Sequence, residues 1–178
     1  ADVAIAAGTA TGLSQTKVEN FNGKRAEVNI KYNDFNDERN SSSYIEGDIL
    51  SAYAGLVNID SDNENAGINI KGNLLAGNNG ILNVDLGKGG TLTGRADDYG
   101  DAGNNDGTAA GGDKGHQNTT FYNPAFSSDI YKGGRVDLTM GEGSTWFVTG
   151  QSWITNIDTT KANGETPATR ATIDLTSK

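Results

Sequence analysis

The 178 residues suit one domain, with 25 glycines, 2 prolines, no cysteine and a hydrophobic fraction of 34%. The 23 Asp and Glu against 14 Lys and Arg leave a net charge of −9, which argues against nucleic acid and anionic membrane surfaces, since both call for basic patches. The absence of cysteine excludes disulfides and thiolate metal sites, and no apolar run is long enough to span a bilayer.

Along the chain, one short pattern recurs: apolar, polar, apolar. It first appears as Val28-Asn29-Ile30 and returns as Val57-Asn58-Ile59, Ile68-Asn69-Ile70, Leu82-Asn83-Val84, Val136-Asp137-Leu138 and Ile173-Asp174-Leu175. Period two is the signature of a half-buried strand, with the aliphatic residues facing in and Asn or Asp facing out. Between the first two copies, residues 31–43 (KYNDFNDERNSSS) form a polar excursion. Nothing keeps an apolar stripe at helical spacing, and Gly and Asn recur too often for helices.

From residue 45 the chain repeats itself. Ile45 to Asp60 (IEGDILSAYAGLVNID) aligns with Ile70 to Asp85 (IKGNLLAGNNGILNVD). Ile45/Ile70, Gly47/Gly72, Leu50/Leu75, Gly55/Gly80, Asn58/Asn83 and Asp60/Asp85 are identical. An offset of about 25 residues is typical of stacked repeat architectures, in which equivalent residues lie one above another. The expectation is an all-β solenoid, a right-handed parallel β-helix with coils of about 25 residues. About five or six coils at roughly 4.8 Å each give a column about 25–30 Å long. Glycines close the coils, as in Leu92-Thr93-Gly94 and Val148-Thr149-Gly150.

Residues 95–134 interrupt the repeat as a long inserted loop. The first part is polar and almost free of aliphatic residues. The second carries Phe121, Tyr122, Phe126, Ile130 and Tyr131, which are expected to pin the return segment to the column. A loop of this length without a pattern is functional or disordered. The last residues, Ala171 to Lys178, are expected to cover one end as a partial coil.

Several side-chain groups are candidates for chemistry. Asp97, Asp98 and Asp101 form a carboxylate cluster in the 97–106 acidic loop. Acid–base work in polysaccharide cleavage uses such clusters, but catalysis wants a rigid first shell, and a solvated acidic turn is the expectation. Asp60-Ser61-Asp62-Asn63-Glu64 is oxygen-rich like a Ca²⁺ loop. It lacks the Gly and distal Glu of an EF-hand, and the counterpart after Asp85 does not repeat it, so a corner turn is expected. Whether Asp60, Asp62 and Glu64, or the 97–106 loop, bind Ca²⁺ is open at this point. His116 stands alone in a Gly-rich tract, without partners for a metal site or a triad. Gly87-Lys88-Gly89-Gly90 lacks the phosphate-loop spacing. Trp146, Phe147 and Trp153 read as packing residues rather than sugar platforms. No catalytic, cofactor-binding or metal-binding residue is assigned, and no cofactor is expected.

The phrases GGTLTGRADDYGDAG and FSSDIYKGGRVDLTMGEGSTWFVTGQSWITNI, with the unit GDILSAYAGLVNID, give the stretch 45–157 a family likeness. It resembles the passenger domains of Gram-negative autotransporters, the pertactin-like and AIDA-like group of right-handed β-helices. The resemblance implies that residues 1–178 are a single β-helix fragment of a larger passenger. It implies an extracellular place on the bacterial surface, tethered to the outer membrane through a translocator β-barrel elsewhere in the parent chain. This fragment itself would not insert into a membrane. The implied role is adhesion or self-association, as in aggregation and biofilm, without enzymatic activity. The partner would be a host-surface or matrix ligand, or a sister passenger. A mechanical stalk that aids passenger folding, and a polysaccharide lyase or hydrolase on the same fold, are the alternatives.

Overall fold

The computed structural model of the chain describes residues 3–8, 26–33, 43–51, 55–77, 80–98 and 134–176. Among the described residues there is no helix, and the strands are short. In chain order they are β1 (Val3–Ala7), β2 (Glu27–Lys31), β3 (Ser43–Glu46), β4 (Asp48–Ser51), β5 (Leu56–Asp60), β6 (Ile68–Lys71) and β7 (Leu74–Ala76). There follow β8 (Ile81–Asp85), β9 (Thr91–Gly94), β10 (Ala96–Asp97), β11 (Arg135–Thr139), β12 (Thr145–Val148), β13 (Asn156–Asp158) and β14 (Thr172–Asp174).

These strands build three sheets. The first has the order β1-β4-β7-β10, the second β13-β11-β8-β5-β2 and the third β14-β12-β9-β6-β3. Every strand pairing is parallel. The chain visits the first, second and third sheets in that order, then starts again with β4, with β7 and with β10. The final pass places β13 in the second sheet and β14 in the third, while the Trp153 N–H donates to the Ala96 carbonyl at 2.9 Å on the first sheet's edge. This order is consistent with a β-solenoid.

The period-two motifs explain the arrangement. Val28, Val57, Leu82 and Val136 stack in register along the second sheet, and so do Ile30, Ile59, Val84, Leu138 and Ile157. The third sheet contributes Ile45, Ile70, Leu92, Trp146 and Ile173. Ile5, Ile49, Leu74 and Ala96 form the first sheet's row. Most of these side chains are sealed in one common core. Each fully buried aliphatic contributes about 1.5–3 kcal/mol, against about 0.5–1.5 kcal/mol for a hydrogen bond between outward amides. The inward rows therefore set the register, and the outward rows follow it.

The 25-residue offset is the register of the central circuit, since Ile45 pairs with Ile70, Leu50 with Leu75 and Asn58 with Asn83. It is not general. Ile70 pairs with Leu92, a shorter step, and Val28 with Val57, a longer one. The excursions also have narrower limits than the sequence suggested. Lys31 still belongs to β2, and Tyr32 is buried in the core, so the first excursion starts after them. Residues 95–97 likewise belong to the third-to-first corner and to β10. The aromatic anchors at 121–131 lie outside the described residues. At the C-terminal end, where a covering partial coil is expected over Ala171 to Lys178, β14 pairs with β12 and Ile173 lies on Trp146. Ile173 and Leu175 nevertheless stay 44% and 74% exposed, and residues 177–178 lie outside the described residues.

Candidate functional site

The outward face of the second sheet carries a row in register: Asn29, Asn58, Asn83, Asp137 and Asn156. Asn58 donates its side-chain N–H to Asn29 Oδ1, and Asn83 donates to Asn58 Oδ1, both at 2.8 Å. Asp137 interrupts the row. Its Oδ2 pairs with the Arg135 guanidinium, and its buried Oδ1 accepts no hydrogen bond. A buried acceptor left unmade costs about 1–3 kcal/mol, whereas a half-exposed ion pair contributes about 0–1 kcal/mol. Asp137→Asn, whose amide can donate to Asn83, is therefore expected to stabilise the protein by about 1 kcal/mol. A lower urea midpoint for the variant would show that the Arg135 pair outweighs the broken row.

The adjacent outward row is Lys31, Asp60, Asp85, Thr139 and Asp158. Lys31 binds Asp60 at 3.2 Å and Asp62 at 2.8 Å. Hydrogen bonds to Asp62 and then Asp60 raise the Lys31 pKa above its ordinary value. Asp85 Oδ1 accepts the Gly87 N–H at 2.9 Å, and its Oδ2 binds the Lys161 ammonium, which arrives from the segment after β13.

Two cavities meet at this row. One of about 610 Å³ lies at the corner between the second and third sheets and is lined by Tyr32, Asp62, Glu64, Lys88 and Glu142, among others. The other, about 380 Å³, lies on the sheet face along Asn58, Asn83, Asp137 and Thr139. Ser61, Asp85 and Lys161 border both, so the two lie side by side along a trough of mixed polar and apolar surface that turns the corner. Both volumes fall in the roughly 300–1,000 Å³ range of small-molecule sites.

Tyr32 closes the floor of the corner. It is 4% exposed, and its hydroxyl donates to the Asp85 carbonyl at 2.9 Å. Burial, and then the Asp85 and Asp60 carboxylates, push its pKa well above the usual phenol value. The unfolded chain therefore loses this proton near pH 10 while the native state keeps it. Between the unfolded and native values the unfolded state binds fewer protons, so stability falls as pH rises. Lys31 and Lys71 are also raised and act in the same direction above about pH 10.4. An alkaline titration followed by tyrosinate absorbance should show at least one of the six tyrosines ionising only with loss of the β signal. Smooth ionisation of all six before unfolding would contradict the buried position.

The residues singled out in the sequence fall in different places. Asp60-Ser61-Asp62-Asn63-Glu64 is the second-to-third corner turn, on the trough rim. Ser61 Oγ accepts the Asn63 N–H at 3.0 Å, Asn63 Oδ1 accepts the Asn65 N–H at 2.9 Å, and Lys31 engages the two aspartates. Among the described residues, no group of three His, Cys, Asp or Glu side chains is placed to hold a metal ion. Gly87-Lys88-Gly89-Gly90 is the corresponding corner one circuit on, where Lys88 meets Glu142 at 3.5 Å. Trp146 is packed at 3% exposure, and its indole N–H donates to the Gly94 carbonyl at 3.0 Å. Phe147 and Trp153 are half-buried.

Asp97 and Asp98 correct the expectation of a solvated turn. They are 0% and 3% exposed. Asp97 lies on β10, where pairing with Leu75 fixes it, and Arg95 binds it at 3.1 Å. The Thr155 hydroxyl donates to Asp98 Oδ2 at 2.7 Å and accepts the Val136 N–H at 3.1 Å. Thr155 thus ties residues 98 and 136 together. Asp101, the rest of the 97–106 stretch beyond Asp98, and His116 lie outside the described residues.

The trough residues Tyr32, Asp85 and Lys161 were not singled out by the sequence. Asp85 carried a usable signal, since it is identical to Asp60 across the repeat. Tyr32 and Lys161 carried none, because their placement depends on contacts far along the chain. The chain matches no family model, no curated protein and no solved structure.

Proposed function

We propose that the chain is a right-handed parallel β-helix from the passenger of a bacterial surface protein, and that it acts in adhesion or self-association. The observation that carries this reading is the order of the sheets, each visited once per circuit, with polar rows on the outside. A stack built this way is a stiff rod that presents the same groups at strand spacing, about 4.8 Å. Many weak polar contacts along such rods add up when two surfaces meet, so adhesion arises by multivalency. The net charge of −9 favours neutral or cationic partners over nucleic acid.

Beads coated with the chain test this. Clumping, or retention on host matrix, supports the adhesive reading. Loss of both on replacing residues 99–133 by a short flexible linker would place the contact in that segment, and persistence would place it on the sheets. Ala96–Asp98 must stay, because β10 and its buried carboxylates belong to the stack. No binding by either version would leave the mechanical stalk.

A hydrolase or lyase on the same fold is favoured by one observation, the convergence of Arg95, Asp97 and Asp98 at the end of β10. Against it, a catalytic carboxyl must reach its substrate, and these two are sealed from solvent. Release of reducing ends or unsaturated sugars from a polysaccharide panel would reverse that judgement.

A further inference from the structure

We propose that the trough along the second sheet binds a neutral oligosaccharide chain. This deepens the adhesive reading by naming a ligand class, and it rests on that reading. The two cavities lie side by side, with Ser61, Asp85 and Lys161 on the border of both, and their linings come from successive strands of the second sheet and from its corners. An elongated ligand suits such a channel better than a compact one.

The lining chemistry narrows the class. Asp62, Glu64 and Glu142 line the corner cavity with carboxylates, Asp85 is taken up by the Gly87 N–H and Lys161, and the Lys161 ammonium stands between the two cavities as a donor. Asn58 and Asn83 each use one side-chain N–H within their row. A carboxamide has two such hydrogens and a carbonyl oxygen, so each can also serve a ligand. A surface richer in acceptors than donors calls for a ligand carrying many O–H groups, and sugar hydroxyls both donate and accept. The carboxylates disfavour sulfated or uronic chains by like-charge repulsion.

A peptide strand is a poorer occupant. β8, at the centre of the face, is paired on both sides by β5 and β11, so its backbone groups are not open to an added strand. A divalent cation is poorer still, since Lys161 already neutralises Asp85 and Lys31 holds Asp60 and Asp62.

The test is a titration of the isotope-labelled full chain, followed by amide resonances. The probes are neutral β-linked glucose and N-acetylglucosamine oligomers, with oligogalacturonate as the anionic control and oligolysine as the charge-only control. The expected result is movement of the Asn83, Asp85, Thr139 and Lys161 amides with a neutral oligomer, at sub-millimolar to millimolar affinity. Lys161→Ala should weaken that binding about tenfold, equivalent to about 1.4 kcal/mol. Should Lys161→Ala disturb the segment after β13, Asn83→Ser provides the second variant, with the same loss expected. No movement with either neutral oligomer at about 10 mM would overturn the proposal. So would movement confined to other faces, or a trough that answers only to oligolysine. Beads that still clump while the trough stays silent would remove the saccharide and leave adhesion standing. A responsive trough on non-adhesive beads would do the reverse.

Discussion

Gly72→Ala is expected to cost about 3 kcal/mol or more, seen as a large drop in the urea midpoint. Gly72 sits where the third sheet turns into the first, between Lys71 and Asn73. A Cβ there would lie 2.0 Å from the Gly47 carbonyl oxygen and 2.4 Å from its carbon, one circuit below. Those atoms belong to the backbone, which cannot rotate away as a side chain would. The stack itself would have to part at that corner, breaking the Gly47 N–H bond to the Lys71 carbonyl and the Gly72 N–H bond to the Thr93 carbonyl. Overpacking a core with a movable neighbour costs about 1–3 kcal/mol, and an immovable neighbour puts the cost at or above the top of that range. Gly89→Ala is the control. Gly89 has φ +67 and nothing within 4 Å of the added carbon. Its cost is conformational only, about 1–2 kcal/mol. Equal losses at the two sites would show that the circuits do not approach each other closely at the Gly72 corner.

Asp97→Ala has the second-largest expected effect, about 3 kcal/mol. The Asp97 side chain is 0% exposed, and that of Arg95 is 26% exposed. Breaking a buried pair from one side costs about 3–5 kcal/mol, because the remaining charge loses a contact without regaining full hydration. The quarter of Arg95 that already faces water moves the figure to the lower end of that range. Asp97→Asn should lose less than Asp97→Ala, since its carbonyl oxygen can still accept from the guanidinium. Thermal unfolding of the two variants gives the comparison. A change within about 0.5 kcal/mol for both would put Asp97 on the surface after all, where substitutions have effects of that size.

Asp97 also marks where the sequence stops being legible. Alternation at Val28-Asn29-Ile30, Val57-Asn58-Ile59, Leu82-Asn83-Val84 and Val136-Asp137-Leu138 is local, and it correctly gave inward and outward faces. The likeness of residues 45–60 to 70–85 gave the central register for the same reason: both copies occupy the same environment. What it could not give was the sheet to which each motif belongs. Ile68-Asn69-Ile70 and Ile173-Asp174-Leu175 read like the others but lie in the third sheet. β7, with three buried residues and no alternation, left no period to find. Asp97 and Asp98 looked like solvent-facing acids because glycines and further acids follow them. Their burial depends on Arg95, Thr155 and the pairing of β10 with β7, two of which involve residues more than 20 positions away. The trough was hidden in the same way, since Tyr32, Asp85 and Lys161 meet only once the circuits carrying β2, β8 and β13 have stacked.

The uneven spacing of the stacked strands has a kinetic consequence. Ile45, Ile70 and Leu92 close successive circuits over short stretches of chain, whereas the partners Leu92 and Trp146 lie more than twice as far apart in sequence. Each doubling of the closed stretch adds about 0.6 kcal/mol of entropy cost before the pairing is gained. Residues 43–97 should therefore assemble first as a nucleus, and residues 134–176 should dock onto β8 and β9 afterwards. Substitutions such as Leu74→Ala should slow refolding, while Leu138→Ala should chiefly speed unfolding, because its row is completed after the barrier has been crossed.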